Sequence, residues 1–131
     1  METRIPTYSP RTLIVDDSEI FLTTLSRILT LQGVVDVVGT ATGGREALEK
    51  ASTLTPDLVL IDLNMPGLDG LQTTLLLRQK SPNSRVIIMT AASTASLADY
   101  YQAHGAHGFV SKYQLINTLA NEIQRVFPTF A

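Results

Sequence analysis

Residues 58–67 read LVLIDLNMPG, and this stretch decides the fold of the chain. Its first four residues are apolar and form a run of the length expected for a strand buried on both faces of a sheet. Asp62 closes that run, and a Pro-Gly turn follows almost at once. Packing does not explain a carboxylate at the point where a buried strand enters a turn. Asp62 is therefore a candidate site residue.

The same pattern recurs along the chain, and Asp16 and Asp17 follow a second apolar run. Short apolar runs alternate with longer stretches in which apolar residues recur every three or four positions. The runs predict strands at 12–15, 34–38, 58–61, 86–89 and 108–110. The longer stretches predict helices at 18–31, 44–54, 68–79, 96–103 and 114–127.

The first predicted helix shows the helical pattern clearly. Phe21, Leu25 and Leu29 recur at four-residue spacing, which makes one apolar face. Ser18 can cap this helix, and Gly33 can end it.

Strict alternation of five strands with five helices predicts an α/β protein. Such alternation favours a parallel sheet covered by helices on both faces, and right-handed crossovers leave few topologies. We expect a flavodoxin-like, doubly wound (βα)5 sandwich with the strand order 2-1-3-4-5. At 131 residues the chain is most simply one domain.

Composition and charge narrow the classes of function. The chain is 44% hydrophobic with a formal net charge of -2, which favours a globular protein and gives no reason to expect direct nucleic-acid binding. It contains no cysteine, so disulfides and thiol catalysis are excluded and metal ligands must be oxygen or imidazole. Nothing resembles a signal peptide or an apolar span of about 20 residues, so we expect a cytoplasmic protein without membrane association.

Polar residues stand at the carboxyl ends of the predicted strands. They are Asp16 and Asp17 after the first strand, Asp62 after the third, Thr90 after the fourth and Lys112 after the fifth. In a doubly wound sheet, the ligand crevice forms at this edge, where the strand order reverses. We therefore expect the three carboxylates to face each other there, with Thr90 and Lys112 on the rim.

Three neighbouring carboxylates need a cation. At about 4–5 Å and an effective dielectric constant of about 20, each pair repels by several kcal/mol. Lys112 offers one positive charge, and a divalent ion offers two. Mg²⁺ suits these ligands better than Ca²⁺, because it is held by few carboxylates together with waters and a phosphate. A carboxylate beside Mg²⁺, a hydroxyl and a lysine is equipped to accept a phosphoryl group, and Asp62 is the expected nucleophile.

Over residues 11–127 the chain resembles the receiver domain of two-component response regulators. The order and strand-end placement of the matching motifs are specific, although each motif is short. The matching residues are Asp16-Asp17, Ala41, Gly44, Glu46-Ala47-Leu48, Asp62, Met65-Pro66-Gly67-Leu68-Asp69-Gly70, Thr90-Ala91, Gly105-Ala106, Phe109 and Lys112. We expect a flexible N-terminal leader at 1–10, the receiver domain at 11–127 and a C-terminal tail at 128–131.

The resemblance implies that Asp62 is the phosphoacceptor. Its phosphoryl group would come from a sensor histidine kinase or a histidine phosphotransfer protein. Asp17, Asp62 and the backbone carbonyl of Asn64 would bind Mg²⁺, or Mn²⁺ in its place, while Asp16 would act mainly through water. Such a protein is not a metabolic enzyme, and at most it catalyses its own Mg²⁺-dependent phosphorylation and dephosphorylation.

The resemblance also implies that Thr90 and Phe109 form a switch pair that remodels the face of helix four, strand five and helix five. That face would regulate a downstream output protein or output domain, and a phosphorylation-dependent homodimer through it is a further expectation. Two positions depart from the family pattern. Tyr113 follows Lys112 where proline is common, which leaves the loop geometry open, and the small Ala92 predicts a short phosphate lifetime.

Two other classes of function stay open. A phosphatase of the haloacid dehalogenase type also forms an aspartyl phosphate, but it needs a second aspartate where this chain has Asn64. A pseudo-receiver would act as an interaction module without phosphate. We interpret Asp69 and Gly70 as turn residues, and His104 and His107 as surface histidines rather than a metal pair.

Overall fold

The structure, a computed structural model, describes residues 9–91 and 100–128. Residues 1–8 and 129–131, Ala92 and the first half of the helix predicted at 96–103 lie outside this part of the chain. The strands are β1 Arg11–Val15, β2 Asp36–Ala41, β3 Leu58–Asp62, β4 Arg85–Thr90 and β5 Gly108–Ser111. The helices are α1 Glu19–Gln32, α2 Gly44–Leu54, α3 Gly70–Lys80, the helical residues 100–103, which we number α4, and α5 Leu115–Val126, which follows a 3-10 turn at Lys112–Gln114.

The five strands form one parallel sheet in the order β2-β1-β3-β4-β5. This order confirms the predicted flavodoxin-like fold. The chain leaves β1 toward β2 on one side and returns to β3 on the other, so the strand order reverses between β1 and β3. A crevice beyond the carboxyl ends of these two strands follows from that reversal.

Helices cover both faces of the sheet, and the side chains of β3 alternate between the two faces. Leu58 and Leu60 point into a layer built with α1 and α5, which we call the α1/α5 layer. Val59 and Ile61 point into a layer built with α2 and α3, the α2/α3 layer. This alternation is the period of two that defines a strand. All four side chains are fully buried, so β3 is the strand buried on both faces that its apolar run predicts.

Capping residues set the ends of the helices. Ser18 accepts a hydrogen bond from the backbone N–H of Phe21, and Gly33 ends α1 with a φ of 67°, which confirms both predictions for this helix. Asp69 caps α3 through a capping box with Gln72, so this helix begins later than its predicted start at residue 68. None of the helices in the described ranges is long and apolar enough to cross a bilayer.

The second strand departs from its prediction. Its apolar run predicts it at 34–38, but β2 spans Asp36–Ala41. Val35 is 4% exposed and packs into the α1/α5 layer before the strand begins, so part of the run serves the core. The register with β1 then shifts between Thr12 and Leu13, which marks an irregularity of the bulge type. Hydrophobicity alone therefore misplaced this strand.

Candidate functional site

Asp62 is the last residue of β3, and its side chain is almost fully buried. The next residue, Leu63, donates its N–H to the carbonyl of Met89 at 2.8 Å, and Gly70 donates its N–H to the carbonyl of Leu63 at 2.9 Å. The loop folds back so closely that a Cβ on Gly70 would lie 2.3 Å from the carbonyl oxygen of Asp62. Glycine is therefore required at position 70, and the loop holds Asp62 in one place.

Three carboxylates meet at the carboxyl ends of β1 and β3. One oxygen from each of Asp16, Asp17 and Asp62 lies within 4.8 Å of the other two. Asp16 and Asp62 are buried, whereas Asp17 is exposed. The structure thus brings together the acidic residues that the sequence pattern predicts to face each other, and it leaves one of them open to solvent.

Asp16 uses both of its carboxylate oxygens. Its Oδ1 accepts the backbone N–H of Ser18 at 2.9 Å, and its Oδ2 accepts the ammonium of Lys112 at 2.5 Å. The backbone N–H of Asp16 also donates to the carbonyl of Ala41 at 3.0 Å, which ties it to β2. Asp16 is therefore held between the start of α1 and Lys112.

Lys112 stands directly after β5 and reaches across to the carboxylates. Its Nζ lies 3.2 Å from Asp62 Oδ1 and 4.4 Å from the centre of the Phe21 ring. The peptide bond from Lys112 to Tyr113 is trans. The sequence pattern places Phe21 on the apolar face of α1 and misses its contact with the site. The signal that could have found it is its place in the first turn of α1, close behind the acidic pair.

The surroundings of Asp62 and Lys112 shift their pKa values. Burial raises the pKa of the Asp62 carboxyl, and the charge of Asp16 adds to the rise, while Lys112 and the backbone N–H of Asn64 oppose it without cancelling it. Burial lowers the pKa of the Lys112 ammonium, but the hydrogen bond to Asp16 and the charges of both carboxylates outweigh burial, so the net shift is upward. Burial thus disfavours the charged form of each group, and the contact between the Lys112 ammonium and Asp62 at 3.2 Å opposes this effect on both.

Thr90 and Phe109 lie on the two strands next to β3. Asp62 pairs with Met89, so Thr90 is the following residue along β4, and it is fully buried. Phe109 is half-buried, and its ring stacks on the ring of Tyr101 with 5.5 Å between centroids and 18° between planes. The structure therefore places Thr90 at the acidic edge of the sheet and Phe109 one strand further out.

His107 is partly exposed, but it is more enclosed and more tightly bonded than the predicted surface histidine. Its Nδ1 accepts the backbone N–H of Val86 at 3.0 Å, and the backbone N–H of His107 donates to the carbonyl of Val86 at 2.7 Å. The half-buried residue thus joins the start of β5 to β4 through its ring and its backbone. Burial lowers the pKa of the His107 imidazole, and the charges of Arg78 and Arg85 lower it further. His104 has a separate partner, the carbonyl of Tyr100.

The acidic cluster fits a hard divalent cation. Asp16, Asp17 and Asp62 face the single charge of Lys112 among the contacts described above, so negative charge is in excess. Carboxylate oxygens with access to water are the ligands that Mg²⁺ commonly takes in proteins, and the exposed Asp17 leaves such access. The donor set therefore suits Mg²⁺ or Mn²⁺.

The response regulator receiver domain family matches residues 12–124 of the chain. The chain is 33% identical over 114 residues to the transcriptional regulatory protein LnrK of Bacillus subtilis (strain 168), covering 87% of this chain and 52% of LnrK. It is 34% identical over 100 residues to the nitrate/nitrite response regulator protein NarL of Escherichia coli (strain K12), covering 76% of this chain and 46% of NarL. A chain of the solved CheX-CheY-BeF3-Mg+2 complex from Borrelia burgdorferi matches it at 29% identity with a TM-score of 0.81, covering 89% of this chain and 88% of that chain.

The chain belongs to the response regulator receiver domain family. It is the receiver domain of a two-component response regulator, as the sequence resemblance predicts. The chain spans about half the length of the curated relatives that it matches.

Proposed function

We propose that this receiver domain, at residues 11–127, is a phosphorylation-controlled switch in which Asp62 accepts the phosphoryl group. The observation that carries the proposal is the position of Asp62, which lies within 4.8 Å of the Asp16 and Asp17 carboxylates and 3.2 Å from the Lys112 ammonium. A nucleophile, a set of hard-metal ligands and a cation therefore share one crevice. The donor would be a sensor histidine kinase or a histidine phosphotransfer protein in the cytoplasm.

The chemical step is a displacement at phosphorus. A carboxylate oxygen of Asp62 attacks in line, the bond from phosphorus to the donor nitrogen breaks, and the imidazole leaves with the electron pair. Lys112 stabilises the negative charge on the transferred oxygens, because its ammonium already contacts Asp62. Asp17, Asp62 and the carbonyl of Asn64 would hold Mg²⁺, and Asp16 would act through water. When bound, the ion supplies further charge stabilisation.

Thr90 and Phe109 would convert phosphorylation into a change of surface. The hydroxyl of Thr90 donates to the phosphoryl group, and the ring of Phe109 turns into the space that is released. Inverting a two-state equilibrium from about 1:99 to about 99:1 takes roughly 5.5 kcal/mol. Two or three charge-assisted hydrogen bonds, at about 1.5–3 kcal/mol each, nearly supply this difference.

Burial of the Phe109 ring adds less to this switch than burial of an exposed ring would. Full burial of a phenylalanine from water contributes about 1.5–3 kcal/mol. Phe109 starts half-buried and stacked on Tyr101, so the inward turn removes only part of its surface from water and also breaks that stack. The phosphoryl contacts must therefore supply most of the switching free energy.

The signal would leave through the face formed by α4, β5 and α5. Tyr100, Tyr113 and Ile116 lie on or beside these elements and are 50%, 77% and 61% exposed, so the face offers apolar surface. We propose that it contacts an output protein, an output domain or a second copy of the chain. The name of the relative LnrK favours a transcriptional output among these.

Acetyl phosphate with Mg²⁺ tests the proposal. We expect intact-mass spectrometry to show uptake of one phosphoryl group, lost in Asp62→Asn and on addition of EDTA. Continuous turnover of many phosphate esters would instead indicate a hydrolase of the haloacid dehalogenase type. If no phosphoryl group is taken up and beryllofluoride leaves the NMR signals of Phe109 unchanged, the domain is a pseudo-receiver.

A further inference from the structure

Phe21 is the third close partner of Lys112. The centre of its ring lies 4.4 Å from the lysine Nζ, inside the distance of roughly 6 Å over which a ring face attracts a cation. The other two partners are Asp16 Oδ2 at 2.5 Å and Asp62 Oδ1 at 3.2 Å. An ammonium has three N–H donors, and these three partners can engage all of them.

The hydrogen bonds of Asp16 place the ring as well as the ammonium. Asp16 Oδ1 accepts the N–H of Ser18, and Ser18 Oγ accepts the N–H of Phe21 at 3.2 Å. The ring packs against the α1/α5 layer. Because Asp16 Oδ2 holds Lys112, one carboxylate organises both members of the contact between ring and cation.

The ring of Phe21 differs from the carboxylates of Asp16 and Asp62 in whether it can keep its contact with Lys112 when a phosphoryl group binds. The carboxylates of Asp16 and Asp62 are needed elsewhere, because Asp62 is the proposed acceptor and Asp16 the proposed outer partner of the metal. A phenyl ring is no ligand for a hard cation and has no part in bond making. Phe21 can therefore keep its contact with Lys112 while the anionic partners of the ammonium are exchanged.

We propose that Phe21 is a positioning residue for Lys112. Its ring holds the ammonium beside Asp62, so that Lys112 passes from the carboxylates to the incoming phosphoryl group without returning to solvent. This inference rests on the proposed function and adds a residue of α1 to its site. The requirement at position 21 is an aromatic face rather than apolar volume.

Substitutions of Phe21 test this requirement. Phe21→Leu keeps an apolar side chain but removes the ring face, and we expect it to slow single-turnover phosphorylation by acetyl phosphate about two- to five-fold. Phe21→Tyr and Phe21→Trp keep an aromatic ring, so both variants should be phosphorylated at the rate of the protein without substitutions. Phe127→Leu is the matched control, because Phe127 lies 5.2 Å from the guanidinium of Arg85, away from the acidic cluster, and its loss should leave the rate unchanged. Equal rates in the leucine and tyrosine variants at position 21 would overturn the proposal.

A double-mutant cycle with Lys112 separates positioning from a general effect on folding. In a Lys112→Met background, Phe21→Leu should slow phosphorylation no further, because the ring then has no cation to hold. The same fold-loss in both backgrounds would show that Phe21 acts through the structure of α1 and would overturn the proposal.

The contact itself can be measured without phosphorylation. A ring 4.4 Å from Nζ should shift the ε-methylene protons of Lys112 upfield in the NMR spectrum of the unphosphorylated chain, and Phe21→Leu should abolish that shift. If acetyl phosphate does not phosphorylate the protein that carries no substitution, the proposed function fails. The chemical-shift change still decides whether Phe21 holds Lys112. Absence of the shift would overturn the positioning role even if Asp62 is phosphorylated.

Discussion

The backbone N–H of Phe109 donates a hydrogen bond to Glu122 Oε2 at 2.9 Å, and this bond joins the outer edge of β5 to α5. Arg125 extends the connection, because its Nη2 donates to the carbonyl of His107 and to Glu122 Oε2. An edge strand otherwise offers unpaired N–H and carbonyl groups to other chains. Two side chains of α5 thus occupy polar groups at this edge. The backbone of residue 109 is held, so we expect any movement there to be a rotation of the ring.

Removing the charge of Glu122 should destabilise the domain at neutral pH but not at acidic pH. Burial raises the pKa of Glu122, but the hydrogen bonds from Arg125 and from the N–H of Phe109 outweigh burial and lower it overall. A lowered folded-state pKa stabilises the fold above the unfolded value of 4.5, and this contribution is lost as pH falls through the folded-state pKa. We expect Glu122→Gln to lower the free energy of unfolding by about 1 kcal/mol at pH 7, measured by urea titration with circular dichroism.

Glu49→Gln is the control for this effect, because Glu49 is an exposed acid on α2 and its replacement removes the same charge. It should leave the free energy of unfolding unchanged at both pH values. A stability loss in Glu122→Gln that persists unchanged at low pH would contradict a role for the carboxylate charge.

His107 should make the stability of the domain fall in mildly acidic solution. Its folded-state pKa is lowered from 6.5, so the unfolded chain is protonated first as pH decreases. The contribution of the neutral imidazole to the free energy of unfolding is therefore fully present above pH 6.5. It is lost as pH falls from 6.5 to the folded-state pKa. In His107→Asn, the side-chain oxygen can still accept the N–H of Val86 but does not titrate. Thermal unfolding should show a flatter pH dependence for this variant, and parallel curves for the two proteins would refute the assignment.

Gly70→Ala should destabilise the domain by about 1–3 kcal/mol, because the new Cβ overpacks the loop behind Asp62. That Cβ would lie 2.3 Å from the carbonyl oxygen of Asp62 and 2.7 Å from the Cα of Leu63, and neither backbone atom can move without shifting Asp62. Gly43→Ala is the matched control: its Cβ would meet nothing within 4 Å, and its φ of -167° suits any residue. Denaturant midpoints of the two variants give the comparison, and an equal effect of both would contradict the crowding at position 70.

Asp17→Asn should weaken Mg²⁺ binding without lowering the free energy of unfolding. Asp17 is the exposed member of the acidic cluster, so loss of its charge removes a proposed ligand and leaves the ion pair of Asp16 and Lys112 in place. Isothermal titration with Mg²⁺ measures the change in affinity. Asp36→Asn removes the same charge from an exposed position at the start of β2 and should bind Mg²⁺ like the unmodified chain. An unchanged affinity in Asp17→Asn would exclude this residue as a ligand.

The sheet and the acidic cluster could be predicted from the sequence because each depends on local patterns. The apolar run before Asp62 marks a strand, and parallel strands bring their carboxyl ends to one edge. Ser18 and Gly33 likewise act on the backbone of their own helix ends. Their effects are local, so each can be predicted from a short stretch of sequence.

Contacts between distant segments explain what the sequence did not show. Val35 is apolar because it packs into the core, not because it pairs in β2, and a sequence window does not separate the two causes. The ring of His107 accepts a hydrogen bond from Val86, and the ring of Phe21 contacts the Lys112 ammonium, although the partners are far apart in sequence. Such pairings depend on where whole strands and helices meet.

The alternation of side chains along the strands also sorts the site by face. Ile14, Leu60 and Val110 belong to the α1/α5 layer, and the residues two positions further along are Asp16, Asp62 and Lys112. Ile88 belongs to the α2/α3 layer, Phe109 packs against that layer, and Thr90 follows Ile88 by two positions. The parity that builds the core thus assigns the ion pairs to one side of the sheet and the proposed switch pair of Thr90 and Phe109 to the other. Inserting a single residue into β3 would reverse the parity of its carboxyl end, turn the Asp62 side chain away from Asp16 and Lys112, and so remove the ion pair with Lys112.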